Sequence, residues 1–157
     1  MPDSSRDSAR FTLVHTARFQ VRWADMDALG HVNNAVYFTY VEQARIEALA
    51  HLMGEWHSEG TGPVLVHASM TYKRPIKHPA TALVRVYIGE PGRSSLPNRY
   101  EITVEGSEET VFATGEGALV WIDLEKERPC SLPAPLREAV EDRLAAQAAS
   151  ADGESAA

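Results

Sequence analysis

The apolar residues of this chain change period twice, and that change decides most of what it can fold into. Phe11, Leu13, His15, Ala17, Phe19, Val21 and Trp23 alternate with smaller or polar residues. From Ala17 to Trp23 the alternation is clean period two, which predicts a strand with one buried face. After a turn-forming stretch, DMDALGHVNN, the period lengthens. Tyr37, Val41, Ala44, Ala48 and Leu52 then fall on one face of a helix from Asn34 to about Met53. Asn33 or Asn34 is the natural N-cap, because an Asn side chain accepts from an otherwise unpaired N–H of the first turn. Gly54 suits the residue just past the helix end. Four more alternating runs follow: Val64–Tyr72, Ala82–Ile88, Tyr100–Val104 and Phe112–Leu124. A final helix is expected from about Pro135 to Ala146, with Pro near its first turn. Short turns between the later runs call for antiparallel pairing. One strand, a long helix and four strands make an α+β architecture: a curved antiparallel five-stranded sheet wrapped around one long helix.

The chain has 157 residues, which suits a single domain of roughly 150. Its formal charge of −7 disfavours general nucleic-acid binding, which needs a basic surface. The longest apolar run, Ala118–Ile122, is far short of the roughly 18 residues that cross a bilayer, so no membrane partner is expected. MPDSSRDSAR lacks the apolar segment of a secretory signal. The single cysteine, Cys130, cannot form an internal disulfide, and a cytoplasmic location is the simplest expectation. Residues 1–10 read as a flexible tail, 11–125 as the folded domain, 126–146 as an extension with a short helix, and 147–157 as a disordered Ala-rich tail.

Chemistry concentrates between the first strand and the long helix: Asp25, Asp27, His31, Asn33 and Asn34. These residue types also simply shape turns and cap helices. A calcium loop fails, because Leu29 and Val36 stand where oxygen ligands are required. One cysteine and scattered histidines give no zinc quartet, and no nucleophile elbow, P-loop or dinucleotide fingerprint is present. No metal and no cofactor is therefore expected. The remaining reading is a carboxylate set against a helix N-terminus. Free N–H groups there stabilise a developing oxyanion, and an upstream Asp attacks a carbonyl or activates water. Such sparse machinery suits a good leaving group, and a thiol with a pKa of about 8.5 leaves more easily than an alkoxide or amine. Thioester hydrolysis is the chemistry indicated.

The stretch VRWADMDALGHVNNAVYFTYVEQARIEAL (21–49) resembles the signature of hotdog-fold acyl-CoA thioesterases of the 4-hydroxybenzoyl-CoA thioesterase-like family. Asp27 stands four residues before His31 of the G-H-V-N-N segment, and Tyr37, Glu42, Ala44 and Arg45 fit the helix pattern. MTYKRPIKHP (70–79) is similar to a later turn of that family, and the strand–helix–four-strand order over 11–125 is the hotdog order. Pro97 departs from it, since the family has a clean strand there. The resemblance implies Asp27 as catalytic carboxylate and the backbone N–H at about Asn34 as the group polarising the thioester carbonyl; His31, the third catalytic candidate, either orients the loop or touches substrate. Acyl-CoA contacts are expected at Asn33, Tyr37 and Ser94, and the resemblance further implies a homodimer or homotetramer. Lys73, Arg74 and Lys77, with Arg93, are either a solvated surface or a clamp for the coenzyme A phosphates. Glu42 and Arg45 are expected to pair on the helix surface or to meet a second subunit. Two other activities stay open: a hydratase or dehydratase using an Asp27/His31 pair, and a non-catalytic acyl-thioester binding module.

Overall fold

A computed structural model of the protein describes residues 11–55 and 60–156. Strand β1 spans Phe11–Gln20 and is followed by a 3-10 turn at Trp23–Asp25. Helix α1 covers Asn34–Met53, and Gly54 ends it with φ of 79°. Four strands follow: β2 (Thr61–Tyr72), β3 (Thr81–Gly89), β4 (Ser95–Val104) and β5 (Ala113–Asp123). A two-residue β6 (Arg128–Pro129) and helix α2 (Ala134–Ser155) complete the order. The sheet runs β1-β3-β4-β5-β2, every pair is antiparallel, and β6 adds to the end of β5.

The expected α+β hotdog arrangement is present, with α1 as its filling. Tyr37, Tyr40, Val41, Ala44, Ala48 and Leu49 of α1 are buried in the core. Small residues at Ala44 and Ala48 let the helix axis approach the sheet closely. Ala82, Val84, Val86 and Ile88 of β3 face it and are at most 1% exposed. Strand β2 lies at one edge, where Leu65 is 45% exposed and Val66 is 59% exposed.

Three departures from the sequence reading have physical causes. In β1, a register shift between Leu13 and His15 reverses the buried face, so Thr12 and Val14 point inward rather than Phe11 and Leu13. The strand then ends at Gln20, and the 3-10 turn leaves Trp23 74% exposed instead of buried. Strand β4 begins at Ser95, five residues before the expected Tyr100. Pro97 fits because it lies just past the last β3–β4 pair, Ile88↔Asn98, where its missing N–H interrupts no bond on that side. Helix α2 does not stop near 146 with a disordered tail beyond it. Leu136 and Val140, both 0% exposed, anchor it in the core, and an alanine-rich stretch propagates a helix already nucleated. The expected tail at 1–10 lies outside the described residues. Among the described residues no helix is long and apolar enough to cross a membrane.

Candidate active site

The loop between β1 and α1 is built on Asp25. Its carboxylate accepts from Arg22 N at 2.9 Å, Arg22 Nε at 3.0 Å, Arg22 Nη2 at 2.7 Å and Tyr40 Oη at 2.6 Å. Asp25 is 1% exposed. Burial works against its ionised form, but the hydrogen bonds from Arg22 and Tyr40 outweigh burial and hold its carboxyl below the ordinary value. Tyr40 is pushed well above the usual phenol range, by its own burial first and then by its bond to Asp25.

From this anchor the chain turns into the helix. Asn33 N donates to Asp25 O at 2.9 Å, and Asn33 Oδ1 caps α1 by accepting from Ala35 N at 2.9 Å. The other end of the same side chain, Asn33 Nδ2, donates to Asp27 Oδ2 at 3.1 Å. Asp27 Oδ1 accepts from Leu29 N at 2.9 Å. Two main-chain bonds close the loop, Asp27 N to His31 O at 3.0 Å and Gly30 N to Asp27 O at 2.9 Å. Gly30 takes φ of 74°, the left-handed conformation that such a tight loop needs and glycine supplies without strain. Unlike Asp25, Asp27 is exposed to solvent.

Asn34 is the first residue of α1, so its N–H has no acceptor inside the helix, and none elsewhere among the described residues takes its place. Its carbonyl accepts from Tyr72 Oη at 2.7 Å, which ties the end of β2 to the start of the helix. Tyr37 and Tyr72 meet edge to face, with centroids 5.0 Å apart. His31, Asn34, Tyr37, Tyr72, Lys73 and Arg74 line one cavity of about 220 Å³ at this junction. Val32 N donates to Ile76 O at 2.8 Å, holding the basic segment beside the loop.

The structure thus gathers His31, Asn34, Tyr37, Lys73 and Arg74, with Asp27 and Asn33 on the adjoining loop. Arg93 and Ser94 are not part of this group. Lys73 N bonds Phe112 O at the start of β5, whereas Ser94 O accepts from Trp121 N near its end. Their neighbours Tyr72 and Ser95 pair with Ala113 and Val120, seven residues apart along β5, so at least about 23 Å of strand separates the two positions within one protomer. Nor does Glu42 pair with Arg45. Arg45 Nη1 donates instead to Tyr100 Oη at 3.2 Å, and Tyr100 Oη donates to Asn98 Oδ1. The sequence reading missed Asn98, which reads as a turn residue beside Pro97 yet is 1% exposed in mid-strand. Among the described residues no three His, Cys, Asp or Glu side chains are placed to share a metal ion.

Comparison with known proteins adds three likenesses. The family model of the thioesterase-like superfamily matches residues 21–140. A Bacillus subtilis (strain 168) protein named as a candidate acyl-CoA thioesterase, YneP, is 26% identical over 119 residues, covering 74% of this chain and 85% of its own. Among solved structures, the PA2801 protein of Pseudomonas aeruginosa, a candidate thioesterase, is 36% identical with a TM-score of 0.78, covering 82% of this chain and 99% of that one. A thioesterase of Thermus thermophilus, solved with coenzyme A and zinc, is 37% identical with a TM-score of 0.70, covering 83% and 93%.

Proposed function

Because this chain belongs to the thioesterase-like superfamily, we propose that it hydrolyses acyl-CoA thioesters through Asp27 and the N-terminus of α1. The observation that carries the reading is the pairing of an exposed, fixed carboxylate with an unpartnered N–H one loop away. Leu29 N and Asn33 Nδ2 each hold one oxygen of Asp27. The thioester carbonyl oxygen accepts from Asn34 N–H, where the helix dipole favours the charge that develops in the transition state. Asp27 either attacks the carbonyl carbon itself or takes a proton from the water that does. The C–S bond then breaks, and coenzyme A leaves as a thiolate that needs little acid help; where water attacked, the free acid is formed directly, and where Asp27 attacked, water then hydrolyses the resulting Asp27–acyl anhydride to the acid and the restored carboxylate. His31, Lys73 and Arg74 line the same cavity as Asn34, and on this reading the two cations take the phosphates of the nucleotide. Asn33, whose two side-chain polar atoms are both engaged within the protein, serves this reading as the residue that orients Asp27.

The active unit on this reading is a homodimer or a larger homo-oligomer. The free edge of β2, with Leu65 and Val66 exposed, offers unpaired backbone groups and apolar surface to a second copy. Arg93 and Ser94 reach the same substrate only if a partner subunit brings them. The test is release of coenzyme A, followed with a thiol reagent, by the parent protein and by Asp27→Asn. Loss of at least about a hundredfold in kcat with an unchanged circular dichroism spectrum is expected. Water addition to an unsaturated acyl-CoA without thiol release would instead establish a hydratase, and binding without turnover a carrier.

A further inference from the structure

Helix α2 is anchored in the core by Leu136 and Val140, and between them stands a half-buried arginine that reaches away from the helix. Arg137 Nη2 donates to Gly92 O at 2.6 Å and to Arg93 O at 3.3 Å, while Nη1 donates to Glu141 Oε1 at 3.4 Å. Gly92 and Arg93 belong to the turn between β3 and β4, which also carries Ser94.

The carbonyls of this turn are drawn to the rest of the protein. Arg93 O accepts a second bond from Leu132 N at 2.9 Å, and Ser94 O accepts from Trp121 N at 2.7 Å. Gly92 N donates to Ser95 O at 2.9 Å and closes the turn. The donors are left over: among the described residues no acceptor takes the N–H of Arg93 or of Ser94. Arg93 is exposed and makes no ion pair among them. Successive unpaired N–H groups beside a guanidinium are donors suited to a phosphate. Exposed turn carbonyls are ordinarily left to water, and the turn stays mobile. Here a charged donor on α2 holds two of them, which takes that freedom away.

We infer that Arg137 is a positioning residue for the substrate: from the C-terminal helix it fixes the β3–β4 turn, so that Arg93 and the free N–H groups meet the phosphates of the coenzyme A nucleotide already in place. The inference rests on the acyl-CoA hydrolase reading above, in which a partner subunit brings Arg93 and Ser94 to the substrate, and it gives α2 a part in that contact. Without Arg137, Gly92 O loses its one partner among the described residues, and Arg93 O loses one of two. Each substrate molecule must then order the turn as it binds, which lowers affinity and leaves the chemical step alone. An arginine that merely fastened α2 to the sheet would act through stability, and equally on every substrate.

The experiment compares an acyl-CoA with the same acyl group on pantetheine, which keeps the thioester and lacks the nucleotide; thiol release is followed for both. The parent protein should show the lower KM for the acyl-CoA. Arg137→Met keeps the apolar stem and removes the donors. It should raise KM for the acyl-CoA roughly threefold to tenfold with kcat nearly unchanged, and leave both constants for the pantetheine thioester as they were. Arg137→Lys, which still reaches one carbonyl, should recover part of the loss. In an Arg93→Ala background Arg137→Met should cost less than it does alone, because the turn's cation is then already gone. Melting curves set an assay temperature at which every variant is folded, and Arg137→Gln replaces Arg137→Met if the latter does not fold. An unchanged KM for the acyl-CoA, an equal rise with both thioesters, full additivity with Arg93→Ala, or a parent protein with the same KM for both thioesters overturns the inference while leaving the hydrolase reading intact. Release from neither thioester by the parent protein overturns the hydrolase reading itself, and this inference with it.

Discussion

Tyr40→Phe isolates the bond on which the loop between β1 and α1 is founded. Tyr40 is 6% exposed and Asp25 1% exposed, and the hydroxyl donates to the carboxylate at 2.6 Å. Phenylalanine keeps the ring, so the substitution removes one hydrogen bond to a charged group and creates almost no cavity. Such a bond contributes about 1.5–3 kcal/mol. A midpoint of about 2 kcal/mol corresponds to a fall in Tm of roughly 4–8 °C for a chain of this size. The pH dependence identifies the cause. The folded protein holds the Asp25 carboxyl below its ordinary value, burial opposing this and the Arg22 and Tyr40 hydrogen bonds prevailing. A group depressed on folding stabilises fully above its unfolded pKa of about 3.9, and that stabilisation is lost as pH falls through the folded value. Removing the Tyr40 donor raises the folded value, so the deficit of the variant is complete at neutral pH and shrinks as the solution becomes more acid than about pH 4. Urea unfolding of both proteins across this range measures it. A deficit that is equal at neutral and acid pH, or no deficit at all, would refute the account of Asp25 as an ionised anchor.

Asn34→Pro should keep the fold, because proline suits the first helical position and the preceding Asn33, at φ −61° and ψ 140°, is already extended as a residue before proline prefers. It should nonetheless lose about 10²–10³ in kcat, whereas Asn34→Ala, which keeps the N–H, should lose little; equal turnover of the two folded variants would remove Asn34 as the donor. Gly117→Ala forces a Cβ to within 2.5 Å of Asn98 Oδ1 and 3.3 Å of His67 O, and should cost about 1–3 kcal/mol in chemical unfolding. Deleting residues 148–157, whose described members are all exposed, should change stability by no more than about 0.5 kcal/mol. A deletion that also takes Leu144, which packs on the core, and Gln147, which donates to Phe11 O at 3.0 Å, should lower the melting temperature measurably.

What the sequence made legible was local. The helix from Asn34 to Met53 was readable because its cap, its period and its terminal glycine all lie in one stretch of chain, and β3 because Ala82, Val84, Val86 and Ile88 alternate without interruption. The buried face of β1 was misread because the shift between Leu13 and His15 is set by the partner strand, β3, and leaves no mark in composition. The first half of β4 was hidden for a related reason. Pro97 and Asn98 oppose strand formation by propensity, and only the end of the β3 ladder and the space at Gly117 make them acceptable. The site divides in the same way. Asp27 and Asn34 are seven residues apart in one loop and one helix turn, so their spacing carries their geometry. Whether Arg93 joins Lys73 depends on the length of β5, and whether Arg45 pairs with Glu42 or Tyr100 depends on a strand 55 residues away. Neither could be read from spacing.

The contrast between Asp25 and Asp27 supports giving the proposed catalytic role to only one of two carboxylates so close in sequence. Asp25 receives three donors from Arg22 and one from Tyr40, and burial keeps solvent away. A carboxylate so fully engaged has no lone pair free for a carbonyl carbon or a water proton, and its depressed pKa makes it a poor base. Asp27 receives one donor on each oxygen and is otherwise open to solvent. Its position is fixed without its reactivity being spent. The two are coupled through Asn33, whose main chain is held by Asp25 and whose side chain holds Asp27 and caps the helix. One residue therefore sets the carboxylate and the helix N-terminus relative to each other, and the proposed attack on a polarised carbonyl depends on that alignment.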